Sequence, residues 1–159
     1  MLAEGMGNHE LKLLLVEDEG SDASLFSMAV GQSGLRILLR CVTDGQGGIE
    51  YILGRAPYNN RHAYPLPDGV VLDLRMPNVS GVQFLLWCRK NNLCCRMGIA
   101  VLTGAHPEDP EVQRAVDVGA KRIFFKPTNF HDWEQVVRQI DDIGRKKGST
   151  GNPITALAA

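Results

Sequence analysis

Residues 70–81 read V-V-L-D-L-R-M-P-N-V-S-G, and this stretch decides the fold. The apolar run at residues 70–72 indicates a buried strand that emerges into a loop at Asp73. The proline, serine and glycine that follow are typical of a loop leading into a helix. In an open parallel sheet, ligands bind at the carboxyl ends of the strands. The position of Asp73 therefore favours a role in binding or chemistry over a purely structural role.

Three other apolar runs also end in polar side chains. These are residues 13–16 before Glu17, Asp18 and Glu19, residues 99–102 before Thr103, and residues 123–125 before Lys126 and Pro127. If the four strands are parallel neighbours, an acidic cluster, a hydroxyl and an ammonium meet at one edge of the sheet.

The acidic cluster has a definite physical consequence. Two carboxylates about 4 Å apart repel by roughly 4 kcal/mol at an effective dielectric constant near 20. Glu17, Asp18 and Asp73 therefore need a cation, and oxygen ligands with water suit Mg²⁺. A magnesium site alone requires neither Thr103 nor Lys126, whereas a phosphoryl group on Asp73 requires donors and positive charge from both. The simplest interpretation is that Asp73 is phosphorylated.

Four motifs now indicate a family. They are VEDE at residues 16–19, VVLDLRMPNVSG at 70–81, VLTGA at 101–105 and FFKP at 124–127. In this order and spacing the chain resembles the receiver domain of two-component response regulators over about residues 11–143. Each motif is weak alone, and the ordered set is specific.

The resemblance implies a role for each site residue. Glu17 and Asp18 hold Mg²⁺, Asp73 accepts the phosphoryl group and also binds the metal, Arg75 offers its backbone carbonyl to the metal, and Thr103 and Lys126 bind the phosphoryl oxygens. The resemblance also implies a cis peptide bond between Lys126 and Pro127. The protein is then a phosphoacceptor in signalling that catalyses its own phosphotransfer, and not an enzyme in the usual sense.

Partners follow from the same resemblance. The phosphodonor is a sensor histidine kinase, and the long segment at residues 54–68 resembles the extended loop of stand-alone receivers that serve kinases such as bacteriophytochromes. Fewer than twenty residues follow the fifth expected helix, so no effector domain is expected. Output is then carried by protein contact, by a homodimer or by relay to a histidine phosphotransfer protein. The kinase, its stimulus, the target and the oligomeric state cannot be read from sequence.

Composition excludes several other classes. The chain has 159 residues, of which 44% are hydrophobic, and this fits one domain with one core. A formal net charge of −1 provides no field that attracts nucleic acid, so no DNA contact is expected. The N-terminus lacks a secretory signal, and no apolar run approaches the roughly 18 residues that span a bilayer. A cytoplasmic location without membrane insertion is expected.

Cysteine and histidine usage predicts no zinc site. The four cysteines form no CxxC pair and have no histidine at ligand spacing, so they are expected to be small apolar fillers in a reducing compartment. The four histidines share no motif and are expected on the surface. The residues concerned are Cys41, Cys88, Cys94, Cys95, His9, His62, His106 and His131.

Short apolar runs alternate with amphipathic ones, which predicts repeated βα units and an α/β fold with helices on both faces of a parallel sheet. Strands are expected at residues 12–16, 36–42, 69–72, 97–102 and 122–125. The resemblance implies a doubly wound, flavodoxin-like order 2-1-3-4-5. Residues 1–10 are then an N-terminal tail, 11–143 the receiver domain and 144–159 a flexible C-terminal tail.

Helices are expected between and after these strands. A first helix at about 22–31 carries Leu25, Met28 and Ala29 on one side, a second starts near Asp44, and a third is opened by Ser80 and Gly81. A fourth runs from Pro110 to about Gly119, and in a fifth the residues that recur at helical spacing are Phe130, Trp133, Val137 and Ile140. Trp133 is expected to be a packing residue. The 54–68 segment is either a plain excursion or a binding surface.

Three rival functions remain to be weighed. A phosphohydrolase with an aspartyl phosphate usually carries an acid two residues after the nucleophile, and Arg75 at that position cannot serve as one. No glycine-rich phosphate loop follows a strand, which argues against a nucleotide-binding module. An adaptor that has lost phosphorylation is disfavoured by the complete set of acid, threonine and lysine residues.

Two positions depart from the family pattern. Ile123 stands three residues before Lys126, where many receivers have a switch aromatic, so a ring swing coupled to Thr103 is in doubt. Ala105 has no polar group to orient an attacking water, while Arg75 either covers the phosphoryl group or points into solvent. Slow autodephosphorylation is therefore expected.

Overall fold

Five strands alternate with five helices in the computed structural model, which describes residues 9–146. The elements are β1 (Leu11–Val16), α1 (Gly20–Ser33), β2 (Ile37–Val42), α2 (Gly45–Leu53), β3 (Gly69–Leu72), α3 (Gly81–Lys90), β4 (Gly98–Thr103), α4 (Pro110–Val118), β5 (Arg122–Phe125) and α5 (Phe130–Arg145). All neighbouring strands are parallel, in the order β2-β1-β3-β4-β5. The predicted fold class and strand order are confirmed.

Side chains alternate between the two faces of the sheet because successive residues of a strand point to opposite sides. Leu14 and Val16 pack with α2, α3 and α4 on one face. Leu13 and Leu15 pack with α1 and α5 on the other, where Trp133 is 2% exposed and fills the core as predicted. Burial of each large apolar side chain stabilises the fold by about 1.5–3 kcal/mol. The sheet is therefore fixed from both sides.

Helix starts follow their local sequence. The Asp44 carboxylate accepts the Gly47 N–H at 2.7 Å and begins α2. Ser80 and Gln83 form a reciprocal capping box at the start of α3. Pro110 opens α4, which ends before a glycine. These predicted boundaries are confirmed, so the loops that precede α2, α3 and α4 end at fixed places.

The first helix differs from its prediction. α1 is two residues longer at each end than residues 22–31, and Met28 is 52% exposed. The buried face instead uses Phe26, Ala29 and Val30, and Leu25 is only partly buried. The prediction placed the apolar face one residue out of phase. The bulky Phe26 ring, which is fully buried, sets the helix rotation.

Strand boundaries differ by single residues. β3 and β5 have the predicted bounds, whereas β1 begins one residue earlier, β2 begins one residue later, and β4 is displaced by one residue. These shifts at the strand ends do not change the face of the sheet on which each side chain lies, because the alternation of buried residues is unaffected.

The cysteines do not behave as one class. Cys88 is buried in the core as predicted, but Cys41 and Cys95 are exposed and Cys94 is half-buried. The filler prediction is wrong for Cys41 and Cys95, because one lies on the edge strand β2 and the other in the loop after α3. All four histidines are exposed, as predicted.

Residues 54–68 pack against α2. The Arg61 guanidinium donates to three main-chain carbonyls at 2.7–3.2 Å, two of them in the last turns of α2. The rings of Tyr51, Tyr58 and Tyr64 contact one another with centroids 5.2–6.0 Å apart. The segment is thus an ordered excursion built on the end of α2.

The ends of the domain are joined by Arg145. This residue closes α5, so the helix extends two residues into the segment predicted as a C-terminal tail. Its guanidinium donates to the His9 carbonyl at 2.9 Å and pairs with Asp141. Residues 147–159 of that predicted tail and residues 1–8 of the predicted N-terminal tail lie outside the described residues. Within residues 9–146, no helix has the length and apolar character needed to cross a bilayer.

Candidate functional site

The sheet brings the predicted site residues to one edge. β1 and β3 are paired in register, so Glu17 and Asp73 follow neighbouring positions, and the Asp73 N–H donates to the Val16 carbonyl at 3.1 Å. At the carboxyl ends of β4 and β5, the Lys126 N–H donates to the Thr103 carbonyl at 2.8 Å. The predicted convergence of acids, hydroxyl and ammonium at the carboxyl ends of the strands is confirmed.

Three carboxylates form a compact cluster. One oxygen from each of Glu17, Asp18 and Asp73 lies within 4.8 Å of the others. Glu17 and Asp73 are 4% and 5% exposed, whereas Asp18 is open to solvent. Asp73 Oδ1 is buried and has no hydrogen-bond partner among the described residues. A buried, unpaired carboxylate oxygen is costly unless a cation or a donor satisfies it.

The Lys126 ammonium contacts two of these three carboxylates. Lys126 Nζ lies 3.0 Å from Glu17 Oε2 and 3.1 Å from Asp73 Oδ2. It also lies 2.8 Å from Oδ2 of Asp22, in the first turn of α1. Asp22 was absent from the predicted site. A pattern of strand ends cannot find it, because its carboxylate comes from a helix, 104 residues away from Lys126 in sequence.

The electrostatics follow from this arrangement. Burial, then the neighbouring charge of Asp73, raises the pKa of Glu17 to about 7, although the Glu19 N–H and Lys126 oppose the rise. Burial alone lowers the pKa of Lys126, but hydrogen bonds and charges from Asp22, Asp73 and Glu17 outweigh it and raise that pKa above the ordinary value. The ammonium therefore stays charged, while burial beside Asp73 disfavours the charged form of Glu17.

Thr103 and Ala105 form the turn after β4. Thr103 is fully buried, and its hydroxyl oxygen accepts the Ala105 N–H at 3.1 Å. The hydroxyl proton is left to donate elsewhere, since a hydroxyl is both donor and acceptor. Ala105 is 4% exposed and belongs to the core, so this position is closed as well as apolar.

Arg75 points away from Asp73. Its side chain is 62% exposed and pairs with the carboxylate of Asp109, the N-cap residue of α4. The Glu111 N–H and then Arg75 lower the pKa of Asp109. Of its two predicted orientations, the Arg75 guanidinium here takes the outward one, and cover over a phosphoryl group on Asp73 stays a prediction. Asp109 is the nearby charge that draws the guanidinium outward.

The predicted cis bond before Pro127 is also wrong. The cis peptide bond of residues 9–146 is Ala56–Pro57. Lys126 reaches Asp73 through its own side chain from a position held by the hydrogen bond to Thr103. Ile123 is fully buried, so the position that carries a switch aromatic in many receivers is a core aliphatic residue here.

The donor set fits a hard divalent cation. Mg²⁺ prefers oxygen ligands and keeps several waters, which an open Asp18 beside buried Glu17 and Asp73 permits. The unpaired Asp73 Oδ1 is the observation that favours the fit, because a cation satisfies an oxygen that no described donor reaches.

Comparison with known proteins identifies the family to which a chain with this geometry belongs. The family model for the response regulator receiver domain matches residues 13–138. The chain belongs to the response regulator receiver family. The four motifs that carried the resemblance, and the acidic site at the strand ends, are therefore those of a receiver domain of two-component systems.

Individual relatives agree with the family. Response regulator Rcp1 of Synechocystis is 27% identical over 129 residues, covering 81% of this chain and 85% of Rcp1. A probable chemotaxis protein CheY of Rhizobium etli is 26% identical over 131 residues, covering 82% of this chain and 92% of that protein. Among solved structures, the phosphorylated cyanobacterial phytochrome response regulator RcpA has a TM-score of 0.75 at 23% identity, covering 91% of this chain and all of RcpA.

Proposed function

We propose that this receiver accepts a phosphoryl group on Asp73 from the phosphohistidine of a sensor histidine kinase. A new bond joins a carboxylate oxygen of Asp73 to phosphorus, and the phosphorus–nitrogen bond of the donor breaks. The observation that carries the proposal is the environment of Asp73. One of its oxygens is held by Lys126 at 3.1 Å, and the other is buried and unpaired.

Different site residues would neutralise the negative charge of the phosphoryl group in different ways. The receiver family binds Mg²⁺ or Mn²⁺ in an acidic pocket, and Rcp1 has been crystallised in an Mn²⁺-bound form. Here Glu17, Asp18 and Asp73, with the Arg75 carbonyl, would hold Mg²⁺, which supplies positive charge to the phosphoryl oxygens. Thr103 and Lys126 donate to those oxygens. Catalysis is then largely positioning and electrostatic stabilisation, as in other phosphoryl transfers.

The phosphorylated state is proposed to be long-lived. Hydrolysis needs a water aligned opposite the Asp73 oxygen. Ala105 is buried and apolar, and the Arg75 guanidinium is engaged by Asp109. Neither side chain is placed to hold such a water, so autodephosphorylation is slow.

A bacteriophytochrome is the kinase class that the relatives favour. The bacteriophytochrome response regulator RtBRR is 26% identical and has a TM-score of 0.71 over 91% of this chain. Output by protein contact, by a homodimer or by relay to a histidine phosphotransfer protein completes the proposal, and we place the protein in the cytoplasm.

A labelling experiment tests the proposal. Wild type, Asp73→Asn and Asp18→Asn are incubated with a radiolabelled small phosphodonor, with and without a chelator. With Mg²⁺ we expect full label in wild type, strongly reduced label in Asp18→Asn and no label in Asp73→Asn; with the chelator we expect no label in any of them. Undiminished labelling of Asp73→Asn would overturn the proposed acceptor, and labelling that survives chelation would overturn the metal requirement.

A further inference from the structure

Asp22 contacts the proposed site although it was not predicted as a site residue. Its Oδ2 lies 2.8 Å from Lys126 Nζ, the shortest of the three ammonium contacts. The two side chains are 25% and 14% exposed, so the pair is neither a solvated surface contact nor fully buried.

The local position of Asp22 makes this contact informative. It is the third residue of α1 after the N-cap residue Glu19, a position from which a Glu or Gln side chain can reach back to the N-cap N–H. In this helix the Glu19 N–H donates to Glu17 Oε1 instead, and the Glu19 side chain makes no capping hydrogen bond. The Asp22 carboxylate is therefore directed to Lys126 and not to its own helix end.

An ammonium has three N–H donors, and three carboxylates surround this one. Glu17 and Asp73 also belong to the group whose oxygens cluster within 4.8 Å, and Asp22 does not. Mg²⁺ would compete with Lys126 for Glu17 and Asp73, and phosphorylation would convert an Asp73 oxygen into the bridging oxygen of a mixed anhydride. Of the three contacts, the one with Asp22 is the contact that neither event removes.

We propose that Asp22 is a positioning residue that anchors Lys126 while a phosphoryl group occupies Asp73. This inference rests on the proposed function. Asp22 keeps one N–H of the ammonium, so the donors released by Asp73 and Glu17 point at the phosphoryl oxygens. Asp22 itself touches neither the phosphoryl group nor the metal.

Beryllofluoride, which mimics a phosphoryl group on a carboxylate, gives a test without turnover. Its affinity is measured by ¹⁹F NMR at saturating Mg²⁺ for wild type, Asp22→Asn, Asp22→Glu and Glu19→Gln. Glu19→Gln is the matched control, because it removes one negative charge from the same end of α1 without touching Lys126. We expect Asp22→Asn to bind about tenfold more weakly, the ratio equivalent to a hydrogen bond to a charged group.

Asp22→Glu restores the carboxylate and is expected to recover most of that affinity, whereas Glu19→Gln should bind like wild type. A second readout is the ¹H–¹⁵N signal of the Lys126 ammonium in the beryllofluoride complex. It should persist in wild type and Glu19→Gln and broaden through exchange with water in Asp22→Asn. A purely structural link between α1 and the residue after β5 changes the melting temperature and leaves the beryllofluoride affinity unmoved.

The outcomes separate the two proposals. If wild type binds no beryllofluoride, the proposed function fails. If wild type binds and Asp22→Asn binds equally well, the anchoring role is overturned. Equal losses in Asp22→Asn and Glu19→Gln would also overturn it, by reducing the effect to net charge. If circular dichroism shows that Asp22→Asn is unfolded, the beryllofluoride affinity of Asp22→Glu is compared with that of wild type and with that of a lysine variant, Lys126→Met. An affinity close to that of wild type supports the anchor. A loss as large as that of Lys126→Met contradicts it.

Discussion

Removal of the Glu17 charge gives a quantitative test of the buried acidic site. Burial and Asp73 raise the pKa of Glu17 from an ordinary 4.5 to about 7. A pKa raised on folding means that the unfolded chain ionises first. The stability associated with protonated Glu17 is therefore complete below about pH 4.5 and is lost as pH rises to about 7. That rise in pKa corresponds to about 3 kcal/mol.

The perturbation is Glu17→Gln, which is nearly isosteric and cannot ionise. The free energy of unfolding is measured by urea denaturation between pH 4.5 and pH 8 without metal, using the fluorescence of Trp87 and Trp133. We expect the stability of wild type relative to Glu17→Gln to fall by about 3 kcal/mol across this range. Saturating Mg²⁺ should cancel the fall, because metal binding favours the carboxylate.

Glu19→Gln is the control for this series, since the Glu19 side chain is exposed and lies two residues away. Its difference from wild type measures what the loss of one exposed negative charge next to the site does in the same pH series. A difference between wild type and Glu17→Gln that is independent of pH, or that grows in favour of wild type, would refute the electrostatic description of the site.

Further predictions concern packing, helix capping and the phosphorylated state. Gly81→Ala should unfold the region around Asp73 and lower the melting temperature sharply, because a Cβ would lie 2.4 Å from the Asp73 carbonyl oxygen. Gly98→Ala, whose Cβ has Lys121 Cδ as its nearest neighbour at 3.8 Å, should stabilise the fold by about 0.5 kcal/mol in the same melts, and an equal loss in both variants would contradict the packing. Ser80→Ala should lower the free energy of unfolding by about 1 kcal/mol by removing the α3 cap, whereas Ser80→Asp should retain it; equal losses would exclude capping as the cause. Arg75→Asn should shorten the lifetime of the acyl phosphate by placing a polar group near the approach of water, and a decay equal to that of wild type would show that Arg75 does not control it.

The sequence specified the fold because its signals agree at several levels. Apolar runs ending at Asp73, Thr103 and Lys126 set both the strands and the edge where they meet, and side-chain caps at Asp44 and Ser80 set two helix starts. These are local features, so they are visible without coordinates.

The missed features depend on contacts between distant segments. The rotation of α1 depends on how Phe26 fits beneath the sheet, and a periodic pattern allowed a phase one residue away. Arg75 had two open directions until α4 placed Asp109 beside it. The contact of Asp22 with Lys126 joins residues 104 positions apart. Such long-range geometry is set by packing and not by spacing along the chain.

The most direct test of the account is the identity of the phosphorylated residue. Protein treated with a small phosphodonor and Mg²⁺ is reduced with borohydride, which converts an aspartyl phosphate to homoserine, and the modified peptide is located by tandem mass spectrometry. We predict homoserine at position 73 and at no other acidic residue. Modification at Glu17, Asp18 or Asp22, or none under conditions in which a known receiver is modified, would contradict the assignment of Asp73 as the phosphoacceptor.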